Sequence, residues 1–307
     1  AAGPFDQWPL GRGFDRFYGF MDGETDQFHP DLVRDNHHIA PPGGPEDGYH
    51  LSEDLVDQAL RMIADSKGIR PDRPFFTYLA FGATHAPHQA PEAYLRKYRG
   101  KFDEGWDVVR DRWFRRQLDR GVIPAGTTLA PRNPGVEAWD SLPENQRRLA
   151  CRLQEAFAAF LDHTDDQIGR LVDGLREMGQ LDNTILVVMA DNGASQEGGP
   201  FGVMHEMKFF NGIFELPDEA VARIDDIGGD LTPEWGMHLV DVNVAMGDLV
   251  EPLGFDSLWA LEHHFTGYAM SPSPCQLLAY YAGRTKKIQL GTAVIVLPWH
   301  DPIRVAE

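Results

Sequence analysis

One unbroken apolar run, residues 184–190, follows directly on a long helical pattern over 144–178 and strongly limits the folds open to this chain. A run that is apolar at nearly every position predicts a strand buried on both faces, as in a parallel sheet covered by helices. A second such run, 75–82, follows a predicted helix over 52–66. Strands and helices that alternate through short connections predict an α/β fold.

The pattern restarts near Trp235. From there the order helix, strand, helix, strand is predicted over 242–253, 255–261, 274–284 and 288–297. Two tandem strand–helix units are the rhythm of a (β/α) barrel. We therefore expect two domains, 1–230 and 231–307, with the boundary inside 228–238.

Composition excludes several classes of protein. At 307 residues the chain can hold two ordinary domains or one large one. Its net charge of −19 argues against nucleic acid and anionic membranes as partners. No apolar run reaches the ~20 residues of a membrane span, and we expect no signal peptide in the first residues. The two cysteines predict no disulfide framework. We expect a soluble protein, cytoplasmic or periplasmic, and the sequence indicates no oligomeric state.

The first candidate site follows the apolar run 184–190. Asp191 and Asn192 come directly after it, and Gly193 permits a sharp turn. Ligands of open α/β sheets bind at the carboxyl ends of strands. A carboxylate beside an amide offers two hard oxygen ligands, which suit Ca²⁺ or Mg²⁺. The same three residues are also common in ordinary turns.

His85 follows the run 75–82, again at a predicted carboxyl end of a strand. A histidine there can donate to an anionic oxygen or protonate a leaving group. The plain alternative is a histidine in a surface loop.

Six segments taken together resemble the arylsulfatase branch of the sulfatase family over about residues 3–230. They are 3–11, 13–20, 49–55, 84–88, 191–195 and 209–212. The resemblance implies an alkaline-phosphatase-like α/β/α fold and Ca²⁺-dependent hydrolysis of a small-molecule sulfate ester by a formylglycine nucleophile. It implies that Asp191 and Asn192 are calcium ligands and that His85 contacts the sulfate near its leaving oxygen.

The chain departs from that family at several site positions. No Cys/Ser-x-Pro-x-Arg motif, from which formylglycine forms, occurs in the sequence, and 271–275 resembles it only in composition. The early Asp-Asp calcium pair and the Lys-x-His segment are absent, and Lys208 does not match the later sulfate-binding lysine. We therefore expect a fragment of a sulfatase domain that is inactive as this chain.

The second candidate site is Glu262-His263-His264-Phe265. Adjacent histidines on an extended segment point apart, so a metal site is weakly indicated. Segments 262–266, 282–287 and 290–298 resemble the bacterial-luciferase-like monooxygenases, over about 247–307. That resemblance implies part of a TIM barrel that binds flavin, with His263 and His264 at the flavin reaction face.

Three functions therefore stand open at this point: a sulfuric-ester hydrolase, a flavin-dependent monooxygenase, and a composite fragment without turnover. The sulfatase-like segment is the longer of the two, so it decides the expected family. Sequencing the DNA upstream of Ala1 and across codons 225–240 distinguishes a genuine fusion from an artefact.

Overall fold

The computed structural model describes residues 5–21, 23–190, 216–230, 244, 247–260 and 274–292. Contacts divide the chain into two compact units. One is Ser52–Asp230, and the other combines Ala1–Leu51 with Leu231–Glu307. The architecture is mixed α/β. Within the described ranges, no helix has the length and apolar character needed to cross a bilayer.

The unit Ser52–Asp230 is helical. Its helices are α1 (Leu51–Ile69), α2 (Glu92–Tyr98), α3 (Trp106–Asp119), α4 (Glu144–Glu177) and α5 (Pro217–Ala222). The predictions of helices over 52–66 and 144–178 are confirmed to within three residues at each end. Helix α3 is 14 residues long, and it has only one buried residue, Val109.

Helix α4 contributes to two hydrophobic clusters of this unit. Its buried side chains recur every three or four residues and so form one continuous face. Its N-terminal half holds Phe160, which is fully buried in a cluster with Leu95 of α2 and Ile227. Its C-terminal half packs Leu171 and Leu175 against α1. Each fully buried side chain of this size stabilises the fold by about 1.5–3 kcal/mol.

The two predicted buried strands do not form. Residues 75–82 and 184–190 belong to no strand, and Ile185 and Met189 are 92% and 77% exposed. An apolar run becomes a strand only when neighbouring strands accept its backbone hydrogen bonds. No described strand of this unit does so, and the prediction of a buried parallel sheet here is wrong.

Residues 75–81 nevertheless keep a strand's alternation of faces. Phe75, Leu79 and Phe81 pack on the cluster between α1 and α4. Phe76 and Tyr78, between them, are 78% and 73% exposed. The helices that were expected to cover the sheet therefore form, and residues 75–81 pack on them without pairing into a described sheet.

Residues 1–50 contain a small antiparallel sheet. Its strands are β1 (Tyr18–Gly19), β2 (Leu32–Arg34) and β3 (His37–Ile39), in the order β1-β2-β3. Leu32 and Val33 of the middle strand are fully buried. Strands of two or three residues are too short to produce a recognisable alternation of apolar and polar residues, so the sequence pattern does not predict them.

The C-terminal segment contains a parallel strand pair. Strands β4 (Ser257–Ala260) and β5 (Gln289–Thr292) are parallel, and α6 (Pro274–Ala282) lies between them in sequence. The Glu251 carboxylate accepts the backbone N–H groups of residues 286–288, at 2.6–3.0 Å, just before β5. The predicted order strand, helix, strand is confirmed for the described residues.

Candidate functional site

His85 lies in a tight turn at the end of 75–82. Its backbone N–H donates to the Gly82 carbonyl at 2.9 Å. Its ring Nδ1 lies 2.8 Å from the carbonyl oxygen of Ala86, which can only accept, so Nδ1 carries the proton. The peptide bonds Ala83–Thr84 and Ala86–Pro87 are cis. The side chain is half-buried, so His85 can be reached by a small ligand.

The segment after His85 is anchored at both its backbone and its side chains. The Ala90 N–H donates to the Gly228 carbonyl at 3.0 Å, and Gln89 Nε2 donates to the Gly229 carbonyl at 3.4 Å. The His88 ring meets Phe157 of α4 edge to face, with centroids 5.4 Å apart. These contacts fix the polypeptide that carries His85 against the helical unit.

Gly228 is required for that anchor. Its φ is +89°, in the left-handed region that favours glycine. A Cβ there would also lie 2.6 Å from Leu95 Cδ2 and 3.1 Å from Ala156 Cβ. The chain at 228–229 can therefore approach α2 and α4 only because residue 228 has no side chain.

The other predicted site residues lie outside the described residues. These are Asp191 and Asn192 for calcium and His263 and His264 for flavin. Their roles as calcium ligands and at the flavin stay predictions. Among the residues that the structure does describe, no group of three or more His, Cys, Asp or Glu side chains could hold a metal ion.

Sequence reasoning missed a polar cluster that joins three helices. His163 of α4 is fully buried, and its Nε2–H donates to Glu53 of α1 at 3.0 Å. The Tyr94 ring of α2 meets His163 edge to face at 4.9 Å, and its hydroxyl donates to Asp166 at 2.6 Å. This hydrogen bond, with burial, raises the pKa of Tyr94 to about 12.

A second buried cluster joins α4 to the chain before Gly228. Arg152 and Glu155 are 3% and 4% exposed and lie 3.4 Å apart. Arg152 donates to the carbonyls of Ile224 and Ile227, at 3.2 and 2.6 Å. Burial lowers the pKa of the guanidinium, and Glu155 accepts the N–H of Gly100 at 2.8 Å. The pair holds the segment that anchors the His85 turn.

The sequence carried a signal for both clusters. Arg152, His163 and Gln167 occupy positions of the same stripe that Leu149, Phe160 and Leu171 define on α4. A polar residue on a buried stripe needs a hydrogen-bond partner. Buried polar contacts were therefore foreseeable, although their partners on other helices were not.

Comparison with known proteins agrees with the two-part pattern. The family model described as Sulfatase matches residues 2–217, and the model described as Luciferase-like monooxygenase matches 231–307. An uncharacterized sulfatase of Schizosaccharomyces pombe is 33% identical over 207 residues, covering 62% of this chain and 36% of that protein. An arylsulfatase of Klebsiella aerogenes is 30% identical over 203 residues, covering 62% of this chain and 42% of that protein.

A third relative matches the C-terminal segment. The alkanal monooxygenase alpha chain of Photorhabdus laumondii subsp. laumondii is 47% identical over 64 residues, covering 21% of this chain and 18% of that protein. The chain thus spans well under half the length of each of these relatives. With the Sulfatase model matching 216 of its 307 residues, from 2 to 217, the chain belongs to the sulfatase family and carries a luciferase-like segment at 231–307.

Proposed function

We propose that residues 1–230 are a fragment of an alkaline-phosphatase-like α/β/α fold and carry part of a site for sulfuric-ester hydrolysis. In this proposal His85 contacts the sulfate near its leaving oxygen, and Asp191 and Asn192 contribute oxygen ligands to Ca²⁺. The observation that supports it most is the anchored turn at His85, which lies within the segment that the Sulfatase model matches.

The protonation of His85 bears on its role. With Nδ1–H donating to Ala86, the neutral ring has its proton-accepting position on Nε2, and the charged ring has a second N–H there. A protonated Nε2 can donate to a sulfate oxygen or transfer a proton to a departing oxyanion. The anchor through Gly228 would keep that nitrogen in one place while substrate binds and leaves.

The proposed calcium site has fewer oxygen ligands than the ion requires. Ca²⁺ takes six to eight oxygen ligands, and Asp191 with Asn192 supplies only a few of them. When bound, the ion would supply positive charge that stabilises the sulfate group. We propose millimolar affinity, ~10⁻³ M, as expected for a sparsely furnished site.

We also propose that this chain does not turn over sulfate esters. Its sequence has no Cys/Ser-x-Pro-x-Arg motif, so no formylglycine can form at that motif. Without the attacking oxygen the covalent route is closed. The chain would then bind a sulfate ester without hydrolysing it. In this proposal it is a composite of two domain fragments, 1–230 and 231–307.

A second candidate function concerns the C-terminal segment. The parallel pair β4–β5 with α6 between them in sequence is the repeating unit of a (β/α) barrel, and the segment matches the luciferase-like model. We propose that 231–307 is part of a TIM barrel in which His263 and His264 face a flavin. A closed barrel needs eight strands, so we expect residues 231–307 by themselves to bind flavin weakly.

Calorimetric titration with 4-nitrophenyl sulfate, with and without Ca²⁺, tests the first proposal. We expect Ca²⁺ to strengthen binding and Asp191→Ala to remove that gain. We expect His85→Ala to weaken binding both with and without Ca²⁺. His37→Ala serves as the matched control, because His37 is exposed and lies in β3. An affinity for 4-nitrophenyl sulfate that changes neither with Ca²⁺ nor in His85→Ala would contradict the proposal. Micromolar Ca²⁺ binding abolished by Asp191→Ala would instead show that further ligands complete the site.

A further inference from the structure

A cleft with aromatic walls lies between α3 and α4, away from the His85 turn. Its volume is about 370 Å³, within the range of small-molecule sites. The walls are Phe102, Trp106, Trp113 and Trp139. The Trp106 and Trp139 rings meet edge to face with centroids 4.9 Å apart, and those of Phe102 and Trp113 do so at 6.5 Å.

The indole walls are held in place by backbone contacts. Trp106 Nε1 donates to the Glu137 carbonyl at 3.1 Å, and the backbone N–H of Trp139 donates to Asp107 at 2.9 Å. Gly105 has a φ of +81°, and a Cβ there would lie 2.2 Å from the Trp139 ring. Residue 105 therefore has to be glycine for Trp139 to lie against the backbone, and the cleft is formed before any ligand binds.

The charged lining of the cleft is positive, unlike the chain as a whole. Asp107, Arg110 and Arg132 are its charged lining residues, in a chain of net charge −19. Arg132 pairs with Asp107 at 2.7 Å, and Arg110 donates through Nη2 to the Ala130 carbonyl at 2.7 Å. A guanidinium has five N–H donors, so both arginines keep capacity for an anion.

We propose that this cleft binds a planar aromatic anion. The ring would lie among Trp106, Trp113 and Trp139, where aromatic faces and edges offer stacking and edge-to-face contacts. The anionic group would lie at Arg132 and Arg110. The lining residues fall between 102 and 154, so the cleft shares no residue with the His85 turn or with Asp191 and Asn192.

Calorimetry with naphthalene-2-sulfonate as the probe tests this proposal on the full chain. Trp113→Ala should weaken binding about threefold to tenfold, the range of one aromatic contact. Arg132→Gln should weaken it about twofold to fivefold, as for an exposed ion pair. Trp113 is 45% exposed, so its truncation should leave the fold intact. Neutral 2-methoxynaphthalene should bind more weakly than the sulfonate.

Two variants outside the cleft provide matched controls. Tyr78→Ala removes an aromatic ring that is 73% exposed, and Arg112→Gln removes an arginine of α3 that pairs with Glu104. Neither should change the affinity, and neither should His85→Ala or removal of Ca²⁺. That separates the cleft from the proposed sulfate-ester site, so either proposal can fail without the other.

Alkylation gives a second readout. Cys151 lines the cleft, and burial raises the pKa of its thiol to about 11, whereas Cys275 is exposed and lies elsewhere. The probe should slow alkylation of Cys151 and leave that of Cys275 unchanged. No binding at millimolar probe, equal loss in the control variants, or no protection of Cys151 would each overturn the proposal. Equal affinity for the neutral probe would overturn its anionic part.

Discussion

His163 of α4 and Glu53 of α1 are joined by a hydrogen bond of 3.0 Å in which the histidine side chain is fully buried. The bond connects α1 and α4, the two longest helices among the described residues of the unit Ser52–Asp230. Tyr94 of α2 meets the same imidazole ring, so one side chain contacts two other helices. This junction holds the helices on which residues 75–81 lie.

Replacing His163 should therefore destabilise this unit strongly. We expect His163→Ala to lower the free energy of unfolding by about 2–5 kcal/mol, because it leaves a cavity and removes the hydrogen bond to Glu53. Glu53→Gln keeps an acceptor oxygen and should cost less than about 1 kcal/mol. Urea unfolding followed by circular dichroism measures both. Equal effects of the two variants would contradict this role for the imidazole.

Arg152 should be equally hard to replace. Arg152→Met leaves the buried Glu155 carboxylate without its cationic partner and removes the donors to the carbonyls of Ile224 and Ile227. We expect a loss of about 3–5 kcal/mol in urea unfolding, as for one half of a buried ion pair. Arg148→Met, at an exposed position of the same helix, is the control and should change little. A loss below about 1 kcal/mol for Arg152→Met would show that the pair does not hold 224–227.

Tyr94 should make stability depend on pH in the alkaline range. Its hydrogen bond to Asp166, with burial, raises its pKa to about 12, above the ~10 of an unfolded tyrosine. The folded state then binds the proton more tightly, so the stabilisation is complete below about pH 10 and is lost as the pH rises toward about 12. The stability gap between wild type and Tyr94→Phe should shrink above about pH 10. Exposed Tyr78→Phe is the control, and a gap independent of pH would contradict the account.

Gly228 tests the anchor of the His85 turn. Gly228→Ala combines a positive φ with a contact to Leu95 that is too close, so we expect a loss of about 1–3 kcal/mol in thermal or urea unfolding. Gly179→Ala is the matched control. Its φ is +65°, but a Cβ there would meet nothing within 4 Å, so only the backbone cost of about 1 kcal/mol applies. Equal losses would mean that the approach of residue 228 to α2 is not tight.

Helices α1 and α4 were predictable, whereas the runs 75–82 and 184–190 do not form the buried sheet that was predicted, for one physical reason. The pattern of α4 is read within one helix, because Leu149, Phe160 and Leu171 define its buried stripe locally. The run 184–190 has the apolar composition of a buried strand. A strand is buried only when neighbouring strands pair with it, and the local sequence pattern does not show whether they do. In the described residues that run is exposed.

In the candidate site, too, local features could be predicted from the sequence, whereas contacts between distant residues could not. His85 was singled out by its place after the run 75–82 and by the segment 84–88, and contacts with α4 and with 228–229 hold its turn. Its role at a sulfate group stays a prediction. The partners of His163 and Arg152 lie far away in sequence, so the stripe predicted buried polar residues but not their contacts. The aromatic cleft was not predicted, because Trp139 lies outside α3 and meets Trp106 of α3 only in the folded chain.

Turnover of 4-nitrophenyl sulfate by the purified 307-residue chain, with Ca²⁺ present, tests the central claim most directly. The claim is that a sulfatase-family chain with His85 and without the nucleophile motif retains no covalent route to hydrolysis. We predict no release of 4-nitrophenol beyond the uncatalysed rate. Multiple turnovers per chain that disappear in His85→Ala and persist in His37→Ala would contradict the account.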